Sequence, residues 1–198
     1  MVPKTKTRAD QPTIGPHDAL IVVDVQRDFL PGGTLGVPKG DQVIEPLNRA
    51  IRSFVSAKRP VYYSRDWHPA NHCSFHDQGG PWPPHCIART AGAAFAPTLR
   101  FPADAIVISK ATSPERDAYS AFEGTKLAEQ LKAAGIWRVF VGGLATDYCV
   151  KATVLDARKN GFEVELLGDA VRAVEVKPGD GQRALQEMRQ SGAHLTAW

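Results

Sequence analysis

Short apolar runs alternate with helical patterns along most of this chain, and this alternation constrains its fold more than any other feature. Residues 19–24 form a continuous apolar run closed by Asp24, which is typical of a strand buried on both faces. Further apolar runs predict four more strands and a weaker sixth, at 60–64, 105–109, 138–141, 162–167 and 193–196.

Three segments between these strands carry apolar residues at helical spacing. The spacing predicts helices over 41–57, with Asp41 as N-cap, over 147–160, stopped by Gly161, and over 180–190. Strands that alternate with helices form βαβ units, so we predict an α/β fold: a three-layer αβα sandwich with a mainly parallel sheet.

The length of 198 residues predicts a single domain over 17–198, preceded by a flexible N-terminal arm over 1–16. The formal net charge is only +3 and the basic residues are scattered, so we expect no nucleic-acid partner. No apolar run is long enough to span a bilayer, and we expect no membrane partner. Three cysteines and no secretory signal favour the cytoplasm, and a homo-oligomer is compatible with the sequence.

Polar side chains follow several of the predicted strands. In open parallel sheets, ligands bind beyond the carboxyl ends of the strands, where the sequence places Asp24, Asp66, His68, Lys110 and Cys149. Singly, each has an ordinary explanation: an acid can cap a turn, a lysine can reach solvent, and a cysteine can be a small core residue. Their shared placement at one edge of one sheet is what makes them a candidate active site.

Cys149 lies in GGLATDYCVKAT, where a glycine-containing turn runs into a predicted helix. The positive end of the helix dipole favours a thiolate there, and its N–H groups can bind an oxyanion. We expect Lys110 to lower the pKa of the thiol further and Asp24 to shuttle its proton. The alternative is a packed helix residue with no chemistry.

Four of the six histidines fall between residues 68 and 85, in a segment rich in Pro and Gly that is too long for an ordinary connection. Asp66 and His68 are two residues apart and share a side of an extended segment. His85 can return to complete a three-ligand site for zinc, iron or manganese. His72 and His76 are open as a fourth ligand or as supporting residues, and the alternative is a polar loop with surface histidines.

Together these motifs resemble the nicotinamidase/pyrazinamidase group of the isochorismatase-like cysteine hydrolases. The resemblance spans about residues 19–170 and rests on five stretches: VDVQRDFLPGGTL from Val23, SRDWHPANHCSF from Ser64, GGPWPPHC from Gly79, ISKATSPERDAYSAFEG from Ile108 and VGGLATDYCVKAT from Val141. The family's fold is a six-stranded parallel sheet flanked by helices, in agreement with the pattern above.

The resemblance also implies roles for individual residues. The catalytic triad is Asp24, Lys110 and Cys149, and one divalent transition metal, zinc first and iron or manganese as alternatives, is held by Asp66, His68 and His85. Phe29 and Trp82 sandwich the substrate ring, and Leu35 and Tyr119 line the pocket. A cis peptide at Leu144–Ala145 turns the N–H groups of Ala145 and Cys149 into the oxyanion hole. Some relatives use a histidine in the region of His72 as a further ligand.

The implied reaction is hydrolysis of nicotinamide, and of pyrazinamide, to the acid and ammonia through a cysteine thioester, in NAD salvage. The metal is expected to hold the pyridine nitrogen, and metal-bound water is a rival nucleophile on general grounds. The alternatives are another amidase of the superfamily, acting on a ureido, maleamate or carbamoyl substrate, and a non-catalytic binding module. The metal site argues against the former and the intact triad against the latter.

Overall fold

The computed structural model describes residues 12–198 and arranges six strands in one sheet. All five strand pairings are parallel, and the order across the sheet is β3-β2-β1-β4-β5-β6. The strands are β1 Asp18–Val23, β2 Val61–Asp66, β3 Ile106–Lys110, β4 Arg138–Leu144, β5 Glu163–Arg172 and β6 His194–Thr196. The predicted parallel six-stranded sheet is confirmed.

Helices cover both faces of the sheet because successive side chains of a buried strand point in opposite directions. In β1, Leu20 and Val22 pack in one core with α1, whereas Ile21 and Val23 pack in the other with the remaining helices. The helices are α1 Ile44–Ser56, α2 Leu127–Ala133, α3 Lys151–Lys159 and α4 Asp180–Gln190. The three-layer αβα architecture is therefore confirmed.

One local prediction is wrong, and one helix was not predicted. The helix predicted from residue 41 begins as a 3-10 turn, Gly40–Val43, and α1 starts only at Ile44, so Asp41 lies within the turn and caps nothing. The helix α2 was not predicted, because seven residues are too short to show a clear helical period. By contrast, Gly161 does follow the last residues of α3 with a φ of +89°, as the C′ glycine of a helix does.

The long segment between β2 and β3 contains only one 3-10 turn, His76–Gln78. Its later part packs onto the α1 side of the sheet through buried apolar side chains: Cys86, Ala93, Ala96 and Leu99. Its earlier part lies at the carboxyl ends of the strands, since the Trp67 N–H donates to the carbonyl of Lys110, the last residue of β3 (3.2 Å). This segment thus forms one wall of the candidate site.

The predicted flexible arm, 1–16, lies for the most part outside the described residues. Within its described part, the carbonyls of Thr13 and Pro16 accept hydrogen bonds from Arg138 and Arg59. No helix among residues 12–198 combines the length and the apolar character that a membrane span requires.

Candidate active site

A buried ammonium group joins the ends of three neighbouring strands. Lys110 ends β3, Asp66 ends β2 and Asp24 follows β1, so the parallel order brings all three side chains to one edge. Lys110 Nζ lies 3.0 Å from Asp24 Oδ2, contacts Asp66 Oδ1, and donates to the Ala118 carbonyl (3.1 Å). Burial by itself would lower the pKa of Lys110, but the two carboxylates raise it well above its usual range. The lysine is a permanent cation.

Asp24 is fully buried, and only one of its two oxygens accepts a hydrogen bond. Its Oδ1 accepts a hydrogen bond from Ser64 Oγ (2.6 Å). Its Oδ2 lies within ion-pair distance of Lys110 but has no aligned hydrogen-bond partner. Burial raises the pKa of Asp24, Lys110 lowers it, and the net shift is upward. A carboxylate with a raised pKa is a stronger base, as proton transfer requires.

Cys149 completes this group. It lies in a π-helical turn, Thr146–Val150, that leads from the end of β4 into α3, and its Sγ is 3.5 Å from Lys110 Nζ. A carboxylate oxygen of Asp24 lies within 4.8 Å of the same sulfur. The expected low thiol pKa is wrong, because burial raises the pKa of Cys149 well above its usual value even though Lys110 lowers it. The resting side chain is a thiol that needs a base.

A second group of buried side chains can hold a metal ion. Asp66, His68 and His85 each offer a ligand atom, and these atoms lie within 4.8 Å of one another. The Nδ1 atoms of His68 and His85 face the carbonyls of Ala111 (3.2 Å) and Pro83 (2.8 Å). Carbonyls only accept hydrogen bonds, so both Nδ1 atoms carry protons and both Nε2 atoms present lone pairs.

The chemistry of this group fits a divalent transition metal. His68 Nε2 is buried with no hydrogen-bond partner, which is costly unless an ion uses the lone pair. Burial lowers the pKa of His85, which keeps its imidazole in the neutral, ligating form. Burial by itself would raise the pKa of Asp66, but the Lys110 ammonium holds it well below its usual range, so its carboxylate is ionised. Two imidazoles and a carboxylate are a ligand set typical of zinc.

His72 is close to this group but has no lone pair to offer. Its Nε2 donates to the Arg116 carbonyl (3.2 Å), so its Nδ1 accepts, from Ser74 Oγ (2.7 Å) and the Ser74 N–H (3.3 Å). Its ring stacks against that of His68, with centroids 4.2 Å apart. His72 therefore supports a ligand in this conformation, and His76 is exposed.

Both groups border one pocket, whose empty space, including its mouth, is about 470 Å³. Every predicted substrate-binding residue lines it: Phe29, Leu35, Trp82, Tyr119 and Ala145. Asp24 and Lys110 are buried and are not among the residues that line it. Several other lining residues were not predicted. Ser74, Asp117, Ala118 and Tyr148 lie within the quoted family stretches but were given no role, and Val37 and Val174 lie outside those stretches.

Aromatic rings shape this pocket on two sides. Phe29 packs against His85, with ring centroids 5.6 Å apart. Trp82 meets the Tyr148 ring edge-on at 5.2 Å and donates its indole N–H to the Tyr119 hydroxyl (3.0 Å). The predicted cis peptide at Leu144–Ala145 is present. The pocket therefore offers flat apolar surfaces next to a thiol and a metal-ligand group.

A parallel α/β sheet with a thiol, a lysine and a carboxylate at its strand ends, beside an Asp-His-His group, defines a class of hydrolytic enzyme. The chain belongs to the isochorismatase domain family, which matches residues 18–198. It is 41% identical over 201 residues to the nicotinamidase of Escherichia coli (strain K12), covering 91% of this chain and 94% of that protein.

Solved structures extend this similarity. The pyrazinamidase of Pyrococcus horikoshii in complex with zinc is 52% identical, with a TM-score of 0.89 over 92% of this chain and all of that one. PnC1 from L. infantum in complex with nicotinate is 40% identical, with a TM-score of 0.83, and the match covers 92% of this chain and 93% of that chain.

The buried position of Lys110 leads to a prediction about stability. Lys110→Met keeps most of the side-chain volume but leaves Asp24 and Asp66 without their shared cation. We expect the free energy of unfolding, measured by urea denaturation, to fall by about 3–5 kcal/mol.

The matched control is Lys151→Met, which removes an ion pair with Glu187 (3.2 Å) at the surface. That loss should stay below about 1 kcal/mol. Equal losses for the two lysines would show that the buried ammonium does not hold the strand ends together.

Proposed function

We propose that this protein is a nicotinamidase that also accepts pyrazinamide, hydrolysing the carboxamide to the acid and ammonia. The observation that carries the proposal is the thiol, base and metal-ligand group around one pocket lined by aromatic rings. The E. coli nicotinamidase and the P. horikoshii pyrazinamidase support the substrate class. We further propose that this activity serves pyridine nucleotide salvage and that the protein acts in the cytoplasm.

The reaction begins at Cys149. Asp24 Oδ2 takes the thiol proton, and the sulfur attacks the carboxamide carbon while Lys110, 3.5 Å from Sγ, stabilises its developing negative charge. The N–H groups of Ala145 and Cys149 bind the oxyanion. Asp24 returns the proton to the departing nitrogen, which leaves as ammonia. A thioester between Cys149 and the nicotinoyl group remains.

Water completes the cycle. Asp24 takes one proton from a water molecule while the water oxygen attacks the thioester carbon. The C–S bond then breaks, Asp24 returns that proton to the sulfur, and nicotinic acid leaves and ionises to nicotinate. Phe29 and Trp82 fix the plane of the ring through stacking, which aligns the carbonyl carbon with Sγ. Tyr119 orients Trp82 by accepting its indole N–H.

Asp66, His68 and His85 would hold the metal, and we propose zinc. When bound, the ion supplies a Lewis-acid position for the nitrogen of the pyridine ring. Asp66 also contacts Lys110, so the same carboxylate belongs to both groups.

The test of this function is ammonia release from nicotinamide by the purified protein. We expect Cys149→Ala to retain less than about one thousandth of the wild-type kcat, a barrier increase of roughly 4 kcal/mol, because Cys149 carries the thiol that lines the pocket. Cys73→Ser, at a partly exposed thiol of the same chain, is the matched control and should keep most activity.

Two outcomes would contradict the proposal. Comparable turnover by Cys149→Ala would exclude covalent catalysis at this sulfur. Hydrolysis of a ureido or carbamoyl compound without hydrolysis of nicotinamide would assign the chain to another amidase of the family.

The metal assignment predicts close to one equivalent of bound transition metal in the purified protein. His68→Ala and His85→Ala should lose that metal, because each removes one of three ligands. His76→Ala, at an exposed histidine of the same segment, should keep it. Elemental analysis decides this, and full occupancy in the His68→Ala/His85→Ala double variant would place the ligands elsewhere.

A further inference from the structure

Asp28 joins two loops that are far apart in the sequence. Its Oδ2 accepts a hydrogen bond from the Cys86 N–H (2.8 Å), and its Oδ1 accepts one from Thr34 Oγ1 (3.3 Å). Its own N–H donates to the Gly92 carbonyl (3.1 Å), and its carbonyl accepts from the Leu35 N–H (3.0 Å). The residue therefore connects the loop after β1 to the segment around residues 85–92.

The Cys86 peptide that Asp28 holds lies next to two of the metal-ligand candidates. Cys86 directly follows His85 in the chain, and its carbonyl accepts the N–H of His68 (3.1 Å). The His68 carbonyl in turn accepts the Ala88 N–H (2.8 Å). Cys86 is buried, with a φ of +45°. Cys86, whose φ is positive, is thus bound to Asp28 through its N–H and to His68 through its carbonyl.

The Asp28 carboxylate packs directly against the backbone of Gly92. A Cβ atom on this glycine would overlap the Asp28 carboxylate itself, and the three heavy atoms nearest to that Cβ all belong to the carboxylate. Gly92 has no positive φ that would demand glycine for backbone reasons. The absence of a side chain at residue 92 therefore provides the space that the Asp28 carboxylate occupies.

We propose that Asp28 is a positioning residue for the metal site: by holding the Cys86 peptide, its carboxylate aligns His68 and His85 as ligands. This inference rests on the proposed function only in taking those histidines as ligands. Hydrogen bonds that orient metal ligands typically change metal affinity by about 10–100-fold when removed. Asp28 does not itself contact the substrate or the ion in this role.

The experiment measures the dissociation constant for zinc of the full-length, metal-stripped protein by competition with a chromophoric chelator. Asp28→Ala should weaken zinc binding by about 10–100-fold. Asp28→Asn should stay within about threefold of wild type, since its amide oxygen still accepts the Cys86 N–H and its NH₂ donates to Thr34. Asp77→Ala, at an exposed acid of the same segment, is the matched control and should change nothing.

Gly92→Ala tests the same role without altering Asp28. It should weaken zinc binding in the wild-type background by displacing the carboxylate, and add nothing in the Asp28→Ala background, a non-additivity that contacting residues show. This second route keeps the proposal testable if Asp28→Ala fails to fold.

Three results would overturn the proposal. The first is unchanged zinc affinity in folded Asp28→Ala or Gly92→Ala. The second is an equal loss of zinc affinity in Asp28→Asn and Asp28→Ala. The third is a double variant in which the losses of zinc affinity from Gly92→Ala and Asp28→Ala add. A wild-type protein that binds no zinc, or that binds it unaltered by His68→Ala, would overturn the metal site of the proposed function along with this inference.

Discussion

The ammonium group of Lys110 is the interaction on which the arrangement of this site depends. A charge removed from water is tolerated only when it is paired and hydrogen-bonded, and Lys110 meets that condition through Asp24, Asp66 and the Ala118 carbonyl. These partners come from separate parts of the chain, and only the strand order β3-β2-β1 brings them together. In the sheet, Asp66 and Lys110 are direct neighbours across the β2–β3 pair.

Asp66 extends this interaction to the metal-ligand group. One of its oxygens contacts Lys110, and the other lies 3.6 Å from His68 Nε2. The carboxylate therefore stands between the thiol chemistry and the group that would hold zinc. Burial also sets the state of the proposed nucleophile, since it raises the pKa of Cys149 and keeps the side chain a thiol. Asp24 Oδ2, which is ion-paired with Lys110 but accepts no hydrogen bond, is the base in the proposed reaction, so under that proposal the thiolate forms only as the reaction proceeds.

Much of this could be predicted from the sequence, because the strong signals are local. The apolar runs marked every strand, and the polar residues closing them marked the edge where the site lies. Other features depend on the environment of the folded chain. The helix dipole and Lys110 argued for a thiolate at Cys149, but the burial that reverses this is a property of the tertiary structure. The tautomer of His72 follows from its hydrogen bonds to Ser74 and to the Arg116 carbonyl. Arg116 lies beyond β3, 44 residues after His72, so no local sequence pattern links the two residues.

The central claim, that Cys149 carries the nicotinoyl group, is tested most directly by turnover in the presence of hydroxylamine. A thioester on Cys149 partitions between water and hydroxylamine, so the account predicts nicotinohydroxamate in proportion to hydroxylamine concentration. Mass spectrometry of quenched samples should find a nicotinoyl adduct on the peptide that contains Cys149. Nicotinate as the sole product at every hydroxylamine concentration, with that peptide unmodified throughout turnover, would contradict the account.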